Sequence, residues 1–274
     1  MAAAWGETPA PWRFGLDPYL SPRRIISIYA PLAEHLARRR LRVLLTTAPD
    51  YYRFLLRALG GEFDIVLAPP HVCRYLQVDL GYQPLFRIER DLSASLVVRT
   101  GTIKRLTDLR GHAVATPDHL SMATLLGLDT LRQAGLTPFQ DVRIVESSGQ
   151  LSALLGLRQG RVVAAFVSTG VLAALTPEAK QGLEVVLRTP GVPYLALMAH
   201  HRLPAGAVRR FVEAVQDFLL HSFAGQRFLL DTGYGGMSPP READLKPLDR
   251  YLPQLRVELE ELQPYPAWRK AHPA

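Results

Sequence analysis

Short apolar runs alternate with longer stretches of helical periodicity along most of the chain. Residues 13–16 read as a first strand. Ser21-Pro22 then supplies an N-cap with proline at the first helical position, opening a helix to about Arg39. Residues 41–46 read as a buried strand, 50–59 as a helix closed by Gly60-Gly61, and 64–67 as a strand. A helical pattern follows Pro69-Pro70, and residues 95–99 form another strand-like run. A second series follows the same design. It runs through a turn at 106–109, a strand at 112–116, a helix at 121–134 ended by Gly135, and a strand at 142–145. Next come a helix at 150–159 ended by Gly160, a strand at 162–167, a segment at 183–187, and a strand at 194–199 returning toward the first half. Helical patterns at 205–220 and 224–230, a Gly/Pro break at 233–240 and a charged helical segment after Asp244 complete the chain. Two βα series joined by extended segments near 95–100 and 194–199 predict a two-lobed α/β fold with two crossovers, the architecture of hinge-closing binders.

The bulk numbers narrow the class. With 274 residues, 48% hydrophobic and 21% charged, the chain can bury one large or two medium cores and reads as globular. No apolar run approaches the roughly 18 residues of a membrane helix; the longest, 162–175, is interrupted by Ser168-Thr169-Gly170. The lead from Met1 to Pro11 lacks the basic and apolar regions of an export signal. An Ala/Pro-rich lead is also what remains when a signal is removed and a start Met added, so both readings stand. The net charge of +7 comes from scattered basic residues such as Arg38-Arg39-Arg40 and Arg209-Arg210, without the stacking aromatics of a nucleic-acid groove. Nucleic acid is therefore not an expected partner.

The single cysteine, Cys73, follows a strand and the Pro69-Pro70-His71-Val72 run, on the first turn of a helix. Open α/β sheets bind ligands at such carboxyl edges, and helix N-termini lower thiol pKa. A lone thiol is either inert packing, as free cysteines often are, or it meets something from outside. His71 either lines a cleft or caps the helix, and Tyr19 either closes over a ligand or packs on its neighbours. His200-His201 reads as two surface residues pointing apart, and no metal-ligand spacing appears elsewhere. An enzyme built on Cys73 with His71 or His119 and Asp118 is disfavoured. The nucleophile-elbow, phosphate-loop and paired-carboxylate motifs are absent, and Cys73 and His71 would not face each other well. No cofactor is expected.

Several segments, in order along nearly the whole chain, resemble a known family. They are Phe14-Gly15-Leu16-Asp17-Pro18-Tyr19-Leu20-Ser21-Pro22, Ala30-Pro31-Leu32, Thr47-Ala48-Pro49-Asp50-Tyr51 and Gly61-Glu62-Phe63-Asp64-Ile65-Val66. Pro70-His71, Asp108-Leu109-Arg110-Gly111, Val114-Ala115-Thr116-Pro117-Asp118 and Gln159-Gly160-Arg161-Val162-Val163-Ala164-Ala165 continue the pattern. Asp231-Thr232-Gly233-Tyr234 and Leu248-Asp249 close it. The chain resembles the PhnD-like phosphate/phosphite/phosphonate solute-binding proteins of the type 2 periplasmic class.

That resemblance implies a two-lobed α/β fold with a mixed, helix-flanked sheet in each lobe. Lobe 1 would comprise residues 12–97 and 198–274, and lobe 2 residues 98–197. It implies ligand contacts from Tyr19, Ser21, Thr46, Thr47, His71, Val72 and Cys73 in the first lobe, and from Ser121, Met122, Ser148, Gln150 and Ser168 in the second. It also implies a monomer in the periplasm, its export signal already removed, that closes on a small oxyacid and presents it to an ABC permease or the periplasmic domain of a sensor histidine kinase. Four departures make that pocket poorer in anion-holding groups and less charged: Ser121-Met122-Ala123 in place of a Ser-Thr-Ser-like run, Gln150 for His, Val163 for Asp and Ser168 for a carboxylate. A depleted anion site beside a thiol resembles the arsenite-sensing branch. Its ligand, neutral As(OH)3, is thiophilic, and Cys73 would be the sulfur ligand to its As(III), with hydroxyls such as Ser121 or Ser148 around it. Arsenite is thus the first expectation and phosphite, phosphonate or phosphate the alternative, with no resident metal in either case.

Overall fold

The computed structural model describes residues 10–19 and 21–261; the Met1 lead as far as Pro9 and the end of the charged C-terminal segment lie outside the described residues. The chain divides into two compact units, the first formed by residues 1–90 and 195–274, the second by residues 91–194. The first unit begins with β1 (Trp12–Leu16), α1 (Pro22–Arg38), β2 (Val43–Thr46), α2 (Tyr51–Leu59), β3 (Ile65–Ala68), α3 (Pro70–Leu80) and β4 (Gln83–Ile88). The second opens with β5 (Asp91–Leu92), β6 (Ala94–Arg99), β7 (Ala113–Thr116), α4 (Met122–Gln133), β8 (Arg143–Glu146), α5 (Gln150–Arg158) and β9 (Ala164–Ser168). It ends with α6 (Thr169–Ala174), α7 (Pro177–Lys180), β10 (Leu183–Arg188) and β11 (Val192–Pro193). The chain returns to the first unit as β12 (Ala196–Ala199), α8 (Ala205–His221), α9 (Phe223–Thr232), β13 (Met237–Ser238), α10 (Glu242–Leu245) and α11 (Leu252–Glu261).

The two sheets repeat one plan. Their shared strand order is β2-β1-β3-β12-β4 in the first unit, extended by β13, and β8-β7-β9-β6-β10 in the second. In each, three strands run parallel and the fourth, β12 in the first and β6 in the second, is antiparallel. Parallel strands need helical crossovers, and those helices cover the sheet, so central strands are apolar throughout. β3, β7 and β12 are buried at every position. A short antiparallel pair, β5 with β11, lies at the start and end of the second unit.

The core of the first unit forms where α1 and α8 lay their apolar stripes on β1. Ile25, Tyr29, Leu32 and Leu36 fall at helical spacing on α1 and are all buried. The Phe14 ring meets those of Tyr29 and Phe211 edge-on, with centroids 6.3 and 6.4 Å apart. In the second unit Val97, Ala115, Leu154, Leu157, Ala165 and Val167 pack together, so Ala115 and the partly buried Val145 face α5.

Three expectations need correction. The run at 41–46 is not a buried strand: β2 is the sheet edge, and Leu44 is 54% exposed. The segment near 95–100 is no connector, because β6 pairs along its length with β9 and β10 inside the second sheet. Consequently the units divide at 90/91 and 194/195, earlier than the expected 97/98 and 197/198. Finally, β4 carries Pro84 and β13 lies within the Gly/Pro break. Proline and glycine punctuation hid both strands from a periodicity reading.

Candidate functional site

Parallel strands point their carboxyl ends the same way, so the loops that follow them share one edge. In the first unit, β1, β2 and β3 deliver Tyr19 and Ser21, Thr46 and Thr47, and His71, Val72 and Cys73 to that edge. In the second, β7, β8 and β9 deliver Ser121 and Met122, Ser148 and Gln150, and Ser168. The residues expected from sequence thus fall into two edge clusters, one in each unit.

The part of the first cluster that follows β3 is dry. Cys73 is 0% exposed; its thiol donates to Ala68 O at 3.2 Å and Ala196 O at 3.4 Å. Burial pushes the thiol up to about 12, outweighing those two contacts. The expectation of a lowered pKa at the helix start therefore fails: lost solvation beats the helix terminus. At neutral pH Cys73 is a protonated thiol, not a thiolate ligand. His71 is also fully buried, with Nε2 3.4 Å from the Tyr51 hydroxyl, and Val72 is 1% exposed. The Thr47 hydroxyl donates to Leu16 O at 2.7 Å, tying β2 to β1, and that of Thr46 donates to Leu44 O at 3.1 Å. Ser21 is exposed and makes no side-chain cap bond; it lines a groove of about 720 Å3 with Arg23, Arg24, Ile28, Phe223 and Arg227. Of the expected residues, that groove contains Ser21 alone.

Sequence reasoning missed the group that dominates this edge. Asp17, directly after β1, is 7% exposed, and among the described residues its Oδ1 has no hydrogen-bond partner. Desolvation raises its carboxyl to about 7. Its charge also disfavours a Cys73 thiolate. The Tyr29 and Tyr234 hydroxyls meet at 2.7 Å, bringing together residues 205 positions apart. Burial raises the pKa of neighbouring Tyr19, and the Tyr29 and Tyr234 hydroxyls beside it oppose that. The only sequence signal for Asp17 was its place in the Asp17-Pro18 turn, which reads equally as an ordinary loop.

The second cluster mixes one buried side chain with partly and fully exposed ones. Ser121 caps α4, its Oγ accepting from Thr124 N at 3.2 Å, while Met122 is 3% exposed. Exposed Ser148 lies 2.9 Å from the Ser152 hydroxyl. The Gln150 side-chain oxygen accepts from Ser168 N at 2.5 Å, so the residue standing where the family tends to show His locks the end of β9. The loop after β7 brings Asp118 and His119 beside Glu146 at the end of β8, with His119 Nδ1 3.2 Å from Glu146 Oε2. Sequence reading found no metal-ligand spacing here, because strand register, not spacing, unites these residues. The His200 and His201 rings also depart from expectation. They lie 4.4 Å apart, each held by backbone: His201 Nδ1 is 3.2 Å from Leu80 O, and His200 Nδ1 accepts from Arg202 N. No helix among the described residues is long and apolar enough to cross a membrane.

Similar proteins agree with this topology. PhnD1 from Prochlorococcus marinus (MIT 9301), solved with methylphosphonate, superposes with a TM-score of 0.75 at 13% identity, covering 89% of this chain and 98% of that one. A binding-protein component of an ABC phosphonate transporter from Pseudomonas aeruginosa gives 0.72 at 18% identity, covering 96% of this chain and 93% of its own. The periplasmic aliphatic sulphonate binding protein SsuA from Escherichia coli gives 0.63 at 19% identity, covering 94% of each. These likenesses establish the type 2 periplasmic binding protein fold. No curated protein matches the sequence. The pattern of the family described as "ABC transporter, phosphonate, periplasmic substrate-binding protein" matches residues 14–245, and the chain belongs to that family.

Proposed function

We propose that this protein binds a small molecule with a phosphonate-like or sulfonate-like oxyanion head in the periplasm and delivers it to an ABC permease, without chemical turnover. The observation that carries this reading is the edge geometry of the second unit. Two of its parallel strands run into helices longer than two turns, α4 and α5, whose first N–H groups lie at the same edge as the hydroxyls of Ser121, Ser148 and Ser168. Hydroxyls and helix-start amides replace the hydration shell of an oxyanion without requiring a full cationic charge. Family membership and the methylphosphonate seen in one structural relative support the same ligand class.

Arsenite held by Cys73 and read by a sensor kinase is the weaker reading. As–S bond formation displaces the thiol proton, and a fully buried group pushed up to about 12 is poorly placed to lose it. Hinge closure, as the family resemblance implies, belongs to the proposal. Small-angle scattering with and without ligand tests it, through a fall in radius of gyration on binding. For ligand class, calorimetric titrations with methylphosphonate, an alkanesulfonate, phosphate, phosphite and arsenite are decisive. Saturable one-to-one binding of a phosphonate or sulfonate is expected. Binding of arsenite alone, lost in Cys73→Ser, would reverse the assignment.

A further inference from the structure

We propose that the second unit carries a binding site for a divalent transition-metal ion, formed by Asp118, His119 and Glu146. One ligand atom from each lies within 4.8 Å of the other two. β7 and β8 are parallel with Thr116 opposite Glu146, so the loop leaving β7 passes directly beside the end of β8. That loop is pinned: Asp118 Oδ1 accepts from Leu120 N at 2.9 Å, and Ser121 N donates to Asp118 O at 2.9 Å. His119 is thereby held against Glu146. Their 3.2 Å contact approaches the roughly 3.3 Å edge of a tetrahedral site with metal–ligand bonds near 2.0–2.1 Å.

The donor set selects the ion. One imidazole with two carboxylates suits zinc, cobalt, nickel, manganese or iron, whereas calcium and magnesium take oxygen ligands. Two carboxylates balance a divalent charge. With three protein ligands a fourth position stays open, and the His119 and Glu146 side chains, 36% and 51% exposed, leave a path for the ion.

A second observation points to the same place. Thr116 is 1% exposed, and among the described residues its hydroxyl has no hydrogen-bond partner. Ala115 and Val145 face α5, so alternation along the paired strands turns Thr116 and Glu146 together to the opposite face. A buried, unsatisfied hydroxyl at the strand end paired with Glu146, two residues before Asp118, is a ready outer partner for a ligating carboxylate or a metal-bound water. A plain His–Glu ion pair leaves that hydroxyl unaccounted for.

Titration of the metal-stripped full chain with zinc, and with cobalt followed by its visible absorption, tests the site. One zinc per chain is expected, with a cobalt spectrum of nitrogen and oxygen ligation. His119→Ala and Glu146→Gln should each weaken binding by about tenfold or more, with Thr116→Val having a smaller effect. A His200→Ala/His201→Ala double variant should bind unchanged. The proposal is overturned if no zinc binds, if the double variant abolishes binding, or if both site variants bind like wild type. Circular dichroism checks that each variant folds. Should one fail to fold, the other and the cobalt spectrum of wild type still decide the matter.

Discussion

The same architectural position has opposite chemistry in the two units. Three side chains after β1 and β3 in the first are desolvated: Asp17, His71 and Cys73 are at most 7% exposed. At the ends of β7 and β8 in the second, by contrast, His119, Glu146 and Ser148 are partly or fully exposed. Burial disfavours charge, so in the first unit it raises the carboxyl of Asp17 and the thiol of Cys73 alike. In the second, side chains at the edge stay available to solvent and to ligands. Strand order alone does not say which edge is dry; the depth of packing around it does.

The largest expected effect concerns Asp17. Its folded pKa is raised from 3.8 to about 7. The stability it contributes is therefore fully present below about pH 4 and lost as pH rises through about 7. Relative to Asp17→Asn, the wild type should lose about 1.4 kcal/mol per pH unit across that window, about 4 kcal/mol in all. Urea denaturation of both proteins at pH 4, 5.5 and 8 measures this. Equal curves would show that the carboxyl is solvated and the contrast between the edges overstated.

Next come two glycines that place the same demand on each unit. A Cβ on Gly15 would sit 2.5 Å from the Phe63 ring, and one on Gly127 would sit 2.6 Å from that of Phe166. Gly15→Val and Gly127→Val should each cost about 1–3 kcal/mol through overpacking. Comparable losses in thermal melts would show that the cores are alike and only the edges differ.

Cys73 supplies a third test. Ellman's reagent at pH 8 should leave the folded protein unmodified and titrate one thiol in denaturant. Cys73→Ala should cost about 1 kcal/mol and leave oxyanion affinity within about twofold. Rapid labelling in the folded state would place the sulfur within reach of solvent. The smallest effects separate two serines of the wetter edge. Ser121→Ala should cost about 1 kcal/mol of stability through the lost cap. Ser148→Ala should change stability by less than about 0.5 kcal/mol while weakening the ligand. Matched denaturation and calorimetry distinguish structure from recognition here.

Much of the fold is legible in the chain because periodicity reports burial locally. The helix from Pro22 and the helix ended by Gly135 carry start and stop signals in adjacent residues. β4 and β13 escaped because Pro84 and the surrounding glycines mask a strand whose pairing is supplied from afar. The expected ligand residues do fall at strand ends, since strand–loop–helix order is itself local. Whether each presents a polar group is not. Ser121 reads as a ligand residue yet caps α4, and Gln150 reads as a substituted ligand yet holds the backbone of Ser168.

Sequence by itself determined two βα series and the family, because these rest on short-range periodicity and on motifs in linear order. Tertiary structure alone decided that the one sulfur is dry, that Asp17 is a buried acid, and that Asp118, His119 and Glu146 meet. Desolvation and charge proximity depend on which strands lie side by side, and residues far apart in the chain set that.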